Sequence, residues 1–134
     1  MNEQELNTVY KAKKIKKDKS GKQNSGFQTT TFEQFCIWFK DSEFEKGCHY
    51  CQTTNERSFE LYQMQRNGIR LDATRGGKRG RRLEIDRINP ALSYDNLENL
   101  VWCCYWCNNT KSNFFTKEEF MPIAKIIGET LKKI

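Results

Sequence analysis

The stretch LEIDRINPALSYDNLENLVWCCYWCNNTKSN, residues 83–113, decides how the chain is read. It opens on alternating apolar and charged residues from Leu83 to Ile88, the period of two expected of a short, half-buried strand. Asn89-Pro90 ends that strand, because proline has no N–H for a ladder and restricts the residue before it. Residues 97–102 supply a second short apolar strand, and residues 105–112 a short helix. Two features here carry chemistry. Glu84 and Asp86 share one strand face, and Cys104-x-x-Cys107 runs directly into Asn108. Far upstream, Cys48-His49-Tyr50-Cys51 repeats the cysteine spacing.

Each two-residue spacer lets a tight knuckle present both sulfurs to one ion. Four thiolates from Cys48, Cys51, Cys104 and Cys107 suit a tetrahedral structural zinc with no open position. The pairs are separated by 52 residues, further than in common zinc ribbons. Cys103 competes with Cys104, but the spacing selects Cys104 and leaves Cys103 on the end of the second strand. His49, the lone histidine, falls inside the first knuckle and is expected to be exposed there. Cys36 stands apart from both pairs and reads as a small buried hydrophobe.

At 134 residues, with 37% hydrophobic and 30% charged side chains, the chain reads as one domain with a modest core. A metal staple would help to stabilise it. Its net charge of +6 favours a polyanionic partner, most simply nucleic acid. No apolar run approaches the roughly 18 residues that span a membrane. No apolar signal segment follows the N-terminus, so a cytoplasmic, reducing setting is expected. In that setting paired cysteines read as metal ligands rather than disulfides.

Residues 1–28 are expected to form a basic, flexible arm, and residues 29–134 a single domain with its core at 47–115 and a helical segment at 116–134. Lysines 11, 13, 14, 16, 17, 19 and 22 crowd the arm with little apolar between them. It reads either as a tether that contacts phosphates or as a solubilising tail. A first helix starts at Thr31, where Thr31 and Gln34 fit a capping box. It should run to residues 40–44, with Phe32, Phe35, Cys36 and Phe39 on its apolar face and Trp38 widening it. Residues 56–66 form a helix with Phe59, Leu61, Tyr62 and Met64 as burial candidates, ended by Asn67-Gly68. Thr116 and Glu119 make another capping box, and Phe120, Ile123, Ile127 and Leu131 give a stripe (or Ile126 and Ile134). Pro122 should kink or divide that last helix.

Residues 69–82 carry Arg70, Arg75, Lys78, Arg79, Arg81 and Arg82, punctuated by Gly76, Gly77 and Gly80. A glycine-rich, arginine-rich turn feeding an acidic strand reads as a phosphate-contacting loop, since arginine offers charge-assisted bidentate bonds. Glu84 and Asp86 beside it can hold a hard cation such as Mg²⁺. The bland alternative is a salt-bridged edge strand.

The ordered set Cys48-x-x-Cys51, Leu83-Glu84-Ile85-Asp86-Arg87-Ile88, Asp95-Asn96-Leu97 and Cys104-x-x-Cys107-Asn108-x-x-Lys111 resembles the zinc-knuckle branch of the HNH endonucleases. The resemblance covers residues 47–112, about half the chain. It implies an α+β fold with a small ββα-metal core stapled by four cysteines, with flanking helices. It also implies hydrolysis of phosphodiester bonds in DNA with one Mg²⁺ or Mn²⁺ ion. Asp86 matches the metal-binding aspartate, and Asn108 a second metal ligand from the helix. Asn96 matches the asparagine that holds the hairpin loop by backbone hydrogen bonds. Glu84 matches an auxiliary acid, and Lys111 is placed to contact a phosphate.

The family's water-activating histidine follows the metal-binding aspartate, and here that position is Arg87. A guanidinium stays protonated and does not accept the water's proton. Glu84, His49 or a metal-bound hydroxide would then serve as base, or Arg87 would clamp the phosphate of a slower nuclease. Otherwise the chain binds DNA without cutting it. A protein-interaction zinc ribbon is a third reading.

Overall fold

Each strand of the hairpin is four residues long, the first mixing charged and apolar side chains and the second wholly apolar. In a computed structural model describing residues 1–23, 25–71 and 79–134, β1 (Glu84–Arg87) pairs antiparallel with β2 (Leu100–Cys103). The register sets Glu84 opposite Cys103, Ile85 opposite Trp102, Asp86 opposite Val101 and Arg87 opposite Leu100. Side chains facing across an antiparallel pair share a sheet face. Glu84 and Asp86 therefore lie on one face, while Ile85 and Arg87 lie on the other. A single 3-10 turn, Leu97–Asn99, leads into β2, where a longer strand was expected.

The remaining elements wrap this hairpin. They run α1 (Glu3–Lys13), α2 (Phe32–Trp38), α3 (Asp41–Glu45) and α4 (Asn55–Arg66) before it, then α5 (Tyr105–Lys111) and α6 (Lys117–Lys133) after it. Capping boxes start α2 and α6 as anticipated, through Thr31 with Gln34 and Thr116 with Glu119. α2 stops at Trp38 and α3 begins after a two-residue break, so the helix foreseen to residues 40–44 is two short ones. On the Ile85–Trp102 face, the Trp102 ring meets Trp38, Phe39 and Phe44 at centroid distances of 5.0 to 5.9 Å. Ile85, Leu100 and Phe35 complete that core. Phe59 of α4 remains partly exposed, unlike its neighbour Leu61, which is wholly buried.

Within the segment expected to be a basic arm, α1 and Phe27 pack on the rest of the fold. Asn2 and Glu5 form a capping box that starts α1, and Leu6, Tyr10 and Phe27 are buried. Each such anchor contributes roughly 1.5–3 kcal/mol when fully buried, which offsets part of the entropy lost in ordering nearby backbone. Lysine density concealed these widely spaced anchors.

α6 runs unbroken through Pro122. Proline there removes a bond to the Glu118 carbonyl, and Glu118 lies in the exposed first turn where water replaces it. The buried stripe is Phe120, Ala124, Gly128 and Leu131, while Ile126 and Ile134 face outward. Gly128 lets α6 lie on the first cysteine knuckle, since a Cβ there would stand 2.7 Å from the Cys51 carbonyl oxygen. Among the described residues, no helix is long and apolar enough to cross a membrane.

Candidate functional site

Both cysteine knuckles are built by local backbone chemistry. In the first, Gly47 (φ 85°) and Gln52 (φ 62°) bend the chain, and the Gln52 amide donates to the Cys48 carbonyl at 2.8 Å. The His49 amide donates to the Trp102 carbonyl at 2.8 Å and ties the knuckle to β2. In the second, Cys104 is the N-cap of α5 and its sulfur accepts from the Cys107 amide. The four sulfurs of Cys48, Cys51, Cys104 and Cys107 lie within 4.8 Å of one another, all buried, and Cys51 Sγ is 3.6 Å from Cys104 Sγ. Tetrahedral coordination at about 2.3 Å puts sulfurs roughly 3.8 Å apart, so the cluster fits such an ion. Cys103 stands beside the cluster, its thiol donating to the Cys104 carbonyl at 3.3 Å. Hydrogen bonds from Cys103, then Cys104, Cys107 and Cys51, hold Cys48 well below the ordinary thiol range.

The acids of β1 face α5. Asp86 is nine-tenths buried and, among the described residues, engaged through Oδ2. Its Oδ2 accepts from the Tyr50 hydroxyl at 2.6 Å and pairs with Lys111 Nζ at 3.2 Å. Lys111 is fully buried and also donates to the Arg87 carbonyl at 2.9 Å. Placed one turn beyond Asn108, it points inward, so it neutralises Asp86 and is not exposed to contact a phosphate. Burial, and then Asp86, push the Tyr50 hydroxyl above its usual range, keeping it a neutral donor.

Glu84 is held from two sides. Arg79 donates through Nε to Oε1 at 3.1 Å and through Nη2 to Oε2 at 2.6 Å, and Asn108 Nδ2 donates to Oε2 at 2.8 Å. Arg79 also donates to Asn109 Oδ1 and lies 4.8 Å over the Tyr105 ring. Its guanidinium is thus a structural partner of Glu84, although it was expected to meet phosphate. These residues border a cleft of about 560 Å³ lined by Arg79, Arg81, Arg82, Glu84 and Asn108 together with Lys13 of α1. Arg75 and Lys78 lie outside the described residues.

Arg87 points away from Asp86, as the strand period requires. Its Nη1 donates to the Leu92 carbonyl at 3.1 Å, and its guanidinium stacks 4.5 Å over the Tyr94 ring. It latches the hairpin loop from the face opposite Asp86. His49 lines a different cavity, with Trp38, Lys40, Lys46 and Trp102. Burial, and then Lys117, lower its pKa and favour the neutral imidazole.

The loop-holding asparagine is Asn99 rather than Asn96. Asn99 Oδ1 accepts from the Asn89 amide and its Nδ2 donates to the Asn89 carbonyl, both at 2.9 Å. Asn96 contributes its backbone to the turn. The two asparagines are three residues apart in near-identical contexts, and only the one adjoining β2 sits at the hairpin mouth. Tyr50 was also passed over, because nothing in a knuckle sequence says which strand its spacer residues meet.

No protein-family model and no curated protein matches the chain. Among solved structures, the chain is similar to the rare-cutting HNH restriction endonuclease PacI. The TM-score is 0.56 at 22% identity, over 78% of this chain and 66% of that one. The chain thus spans just under two thirds of that neighbour's length. The hairpin, the helix α5 packed on its acidic face and the four-cysteine metal site together make this an α+β chain with an HNH-type fold.

Proposed function

We propose that the chain is an HNH-type endonuclease that hydrolyses phosphodiester bonds in DNA. The observation that carries this reading is the packing of α5 on β1, which brings Asn108 into contact with the acidic face that holds Asp86. Tyr50 and Lys111 engage only Oδ2 of Asp86, and Glu84 engages only Nδ2 of Asn108. Among the described residues, Asp86 Oδ1 and Asn108 Oδ1 are left as the oxygens for a hard cation, Mg²⁺ or Mn²⁺. A cation held there supplies stabilisation of the charge that develops on the scissile phosphate and the leaving 3′ oxygen. Glu84 and Arg79 orient Asn108, while Arg81 and Arg82 supply positive charge along the cleft. The four cysteines hold a structural zinc away from the phosphate.

A second reading has support of its own. Lys111 pairs with Asp86, Arg79 pairs with Glu84 and Arg87 is turned away, so each acid of the strand face already has a cation beside it. A DNA-binding module without catalysis would tolerate that arrangement.

One experiment separates the two. Supercoiled plasmid is incubated with the wild-type chain and with Asp86→Asn and Asn108→Ala variants, with and without Mg²⁺ or Mn²⁺. Circular dichroism checks that each variant is folded. Metal-dependent nicking that falls at least a hundredfold in both folded variants supports the nuclease. Duplex binding without nicking at any metal concentration supports the module. Undiminished nicking by both variants removes Asp86 and Asn108 from the site.

A further inference from the structure

Residues 11–22 hold seven lysines and one acid, Asp18. The whole chain has 23 basic and 17 acidic side chains, so outside this run sixteen face sixteen. The chain's entire +6 excess therefore resides in twelve consecutive residues. Asp18 accepts from the Ser20 amide, the Ser20 hydroxyl and the Lys22 amide, so its carboxylate closes the turn at the tip.

The fold gives this loop a rigid root. The Phe27 amide donates to the Lys13 carbonyl at 2.8 Å and the Ile15 amide to the Phe27 carbonyl at 2.9 Å, bringing the two ends together. A Cβ on Gly26 would collide with the Lys13 carbonyl, so the crossing needs glycine. Phe27 is buried against Tyr10 and Phe35. Asp95 of the hairpin loop accepts from the amides of Gln28, Thr29 and Thr30 and from the Thr30 hydroxyl at 2.7 to 3.1 Å.

That root stands at the rim of the candidate active cleft. Lys13 lies 4.3 Å over the Tyr94 ring, which Arg87 also stacks on, and Val9, Ala12 and Lys13 line the same cleft as Glu84 and Asn108. Lys14, Lys16, Lys17, Lys19 and Lys22 are exposed beyond it. A merely solubilising tail needs no bolted root, whereas a phosphate contact gains from one.

We propose that the lysines of residues 14–22 form a finger that grips the phosphate backbone of duplex DNA beside the candidate active site, held there by residues 27–30. This rests on the endonuclease reading for its partner. Phosphate contacts release counterions, so each one lost reduces the salt slope of log Kobs by about 0.9.

The test is anisotropy of a labelled duplex titrated with KCl, without added divalent cation. It compares the wild-type chain with three full-length variants. The first changes Lys14, Lys16, Lys17, Lys19 and Lys22 to Gln. The second is Gly26→Val, which keeps every lysine and breaks the root. The third changes Lys125, Lys132 and Lys133 of α6 to Gln. The first should flatten the slope by about three to four and weaken binding at least tenfold near 0.1 M salt. The second should weaken binding at unchanged charge, and the third should leave the slope as it was. A wild-type slope in the first variant, or an equal loss in the third, overturns the finger while plasmid cleavage stands. No duplex binding by the wild-type chain at low salt overturns the finger and the endonuclease reading together.

Discussion

Two buried polar clusters meet at Tyr50, and they are stabilised in opposite ways. The cysteine cluster gathers four buried sulfurs of one kind within 4.8 Å of one another. The Asp86 cluster combines a carboxylate, an ammonium and a hydroxyl that satisfy one another. One is a donor set suited to an ion from outside, whereas the other already pairs Asp86 Oδ2 with groups of the protein. Tyr50 belongs to both, since it sits between Cys48 and Cys51 in the chain and donates to Asp86 in space. The metal staple and the acidic strand are therefore one mechanical unit.

The largest effect should come from breaking the cysteine cluster. Structural zinc contributes about 10–16 kcal/mol of apparent binding energy in small zinc domains, more than a domain of this size keeps as net stability. Dialysis against a strong chelator, or a Cys107→Ser variant, should abolish the cooperative thermal transition, and zinc should restore it in the wild type. A chelated chain that melts as before would show the cluster to be self-sufficient.

The Asp86 cluster should respond less, and in a different pattern. Asp86→Ala or Lys111→Met alone leaves a buried charge without its partner and should lose about 3–5 kcal/mol in urea unfolding. The double variant Asp86→Leu with Lys111→Met should recover most of that loss, while plasmid cleavage stays absent. If the two single losses simply add, the pair is not coupled. Asp86→Asn is the better probe of chemistry because it keeps the shape and leaves Lys111 a hydrogen-bond acceptor.

Tyr50→Phe tests the bridge itself and should be the smallest change. It removes one donor from Asp86 at a cost of about 1–2 kcal/mol and leaves all four sulfurs in place. Zinc content measured by a colorimetric release assay should be unchanged. A variant that sheds zinc would show that Tyr50 supports the knuckle rather than the strand.

The two clusters also differ in how far they could be read before the fold was known. A Cys-x-x-Cys pair specifies its own geometry within four residues, so the ligand set was legible from spacing. The period of two placed Glu84 with Asp86, while the far-face position of Arg87 was read only from the paired hairpin. Lys111 was not legible. Its spacing put it one turn from Asn108, but whether that turn looks outward to a phosphate or inward to Asp86 depends on what packs over α5. Asn99 and Asn96 could not be ranked without knowing where the strand begins. Leu6, Tyr10 and Phe27 were hidden among lysines because an average over a window dilutes isolated anchors.

By itself, the sequence determined the local elements and the donors: the hairpin strands, the capped starts of α2 and α6, the two knuckles and the acidic strand face. These follow from backbone sterics, side-chain period and ligand chemistry, all of which act over a few residues. Tertiary structure alone decided the pairings: Tyr50 and Lys111 on Asp86, Arg79 and Asn108 on Glu84, Arg87 on Tyr94, and the lysine loop rooted at Asp95. Those pairings join residues up to 67 positions apart. Only packing settles which of several available partners a long polar side chain reaches.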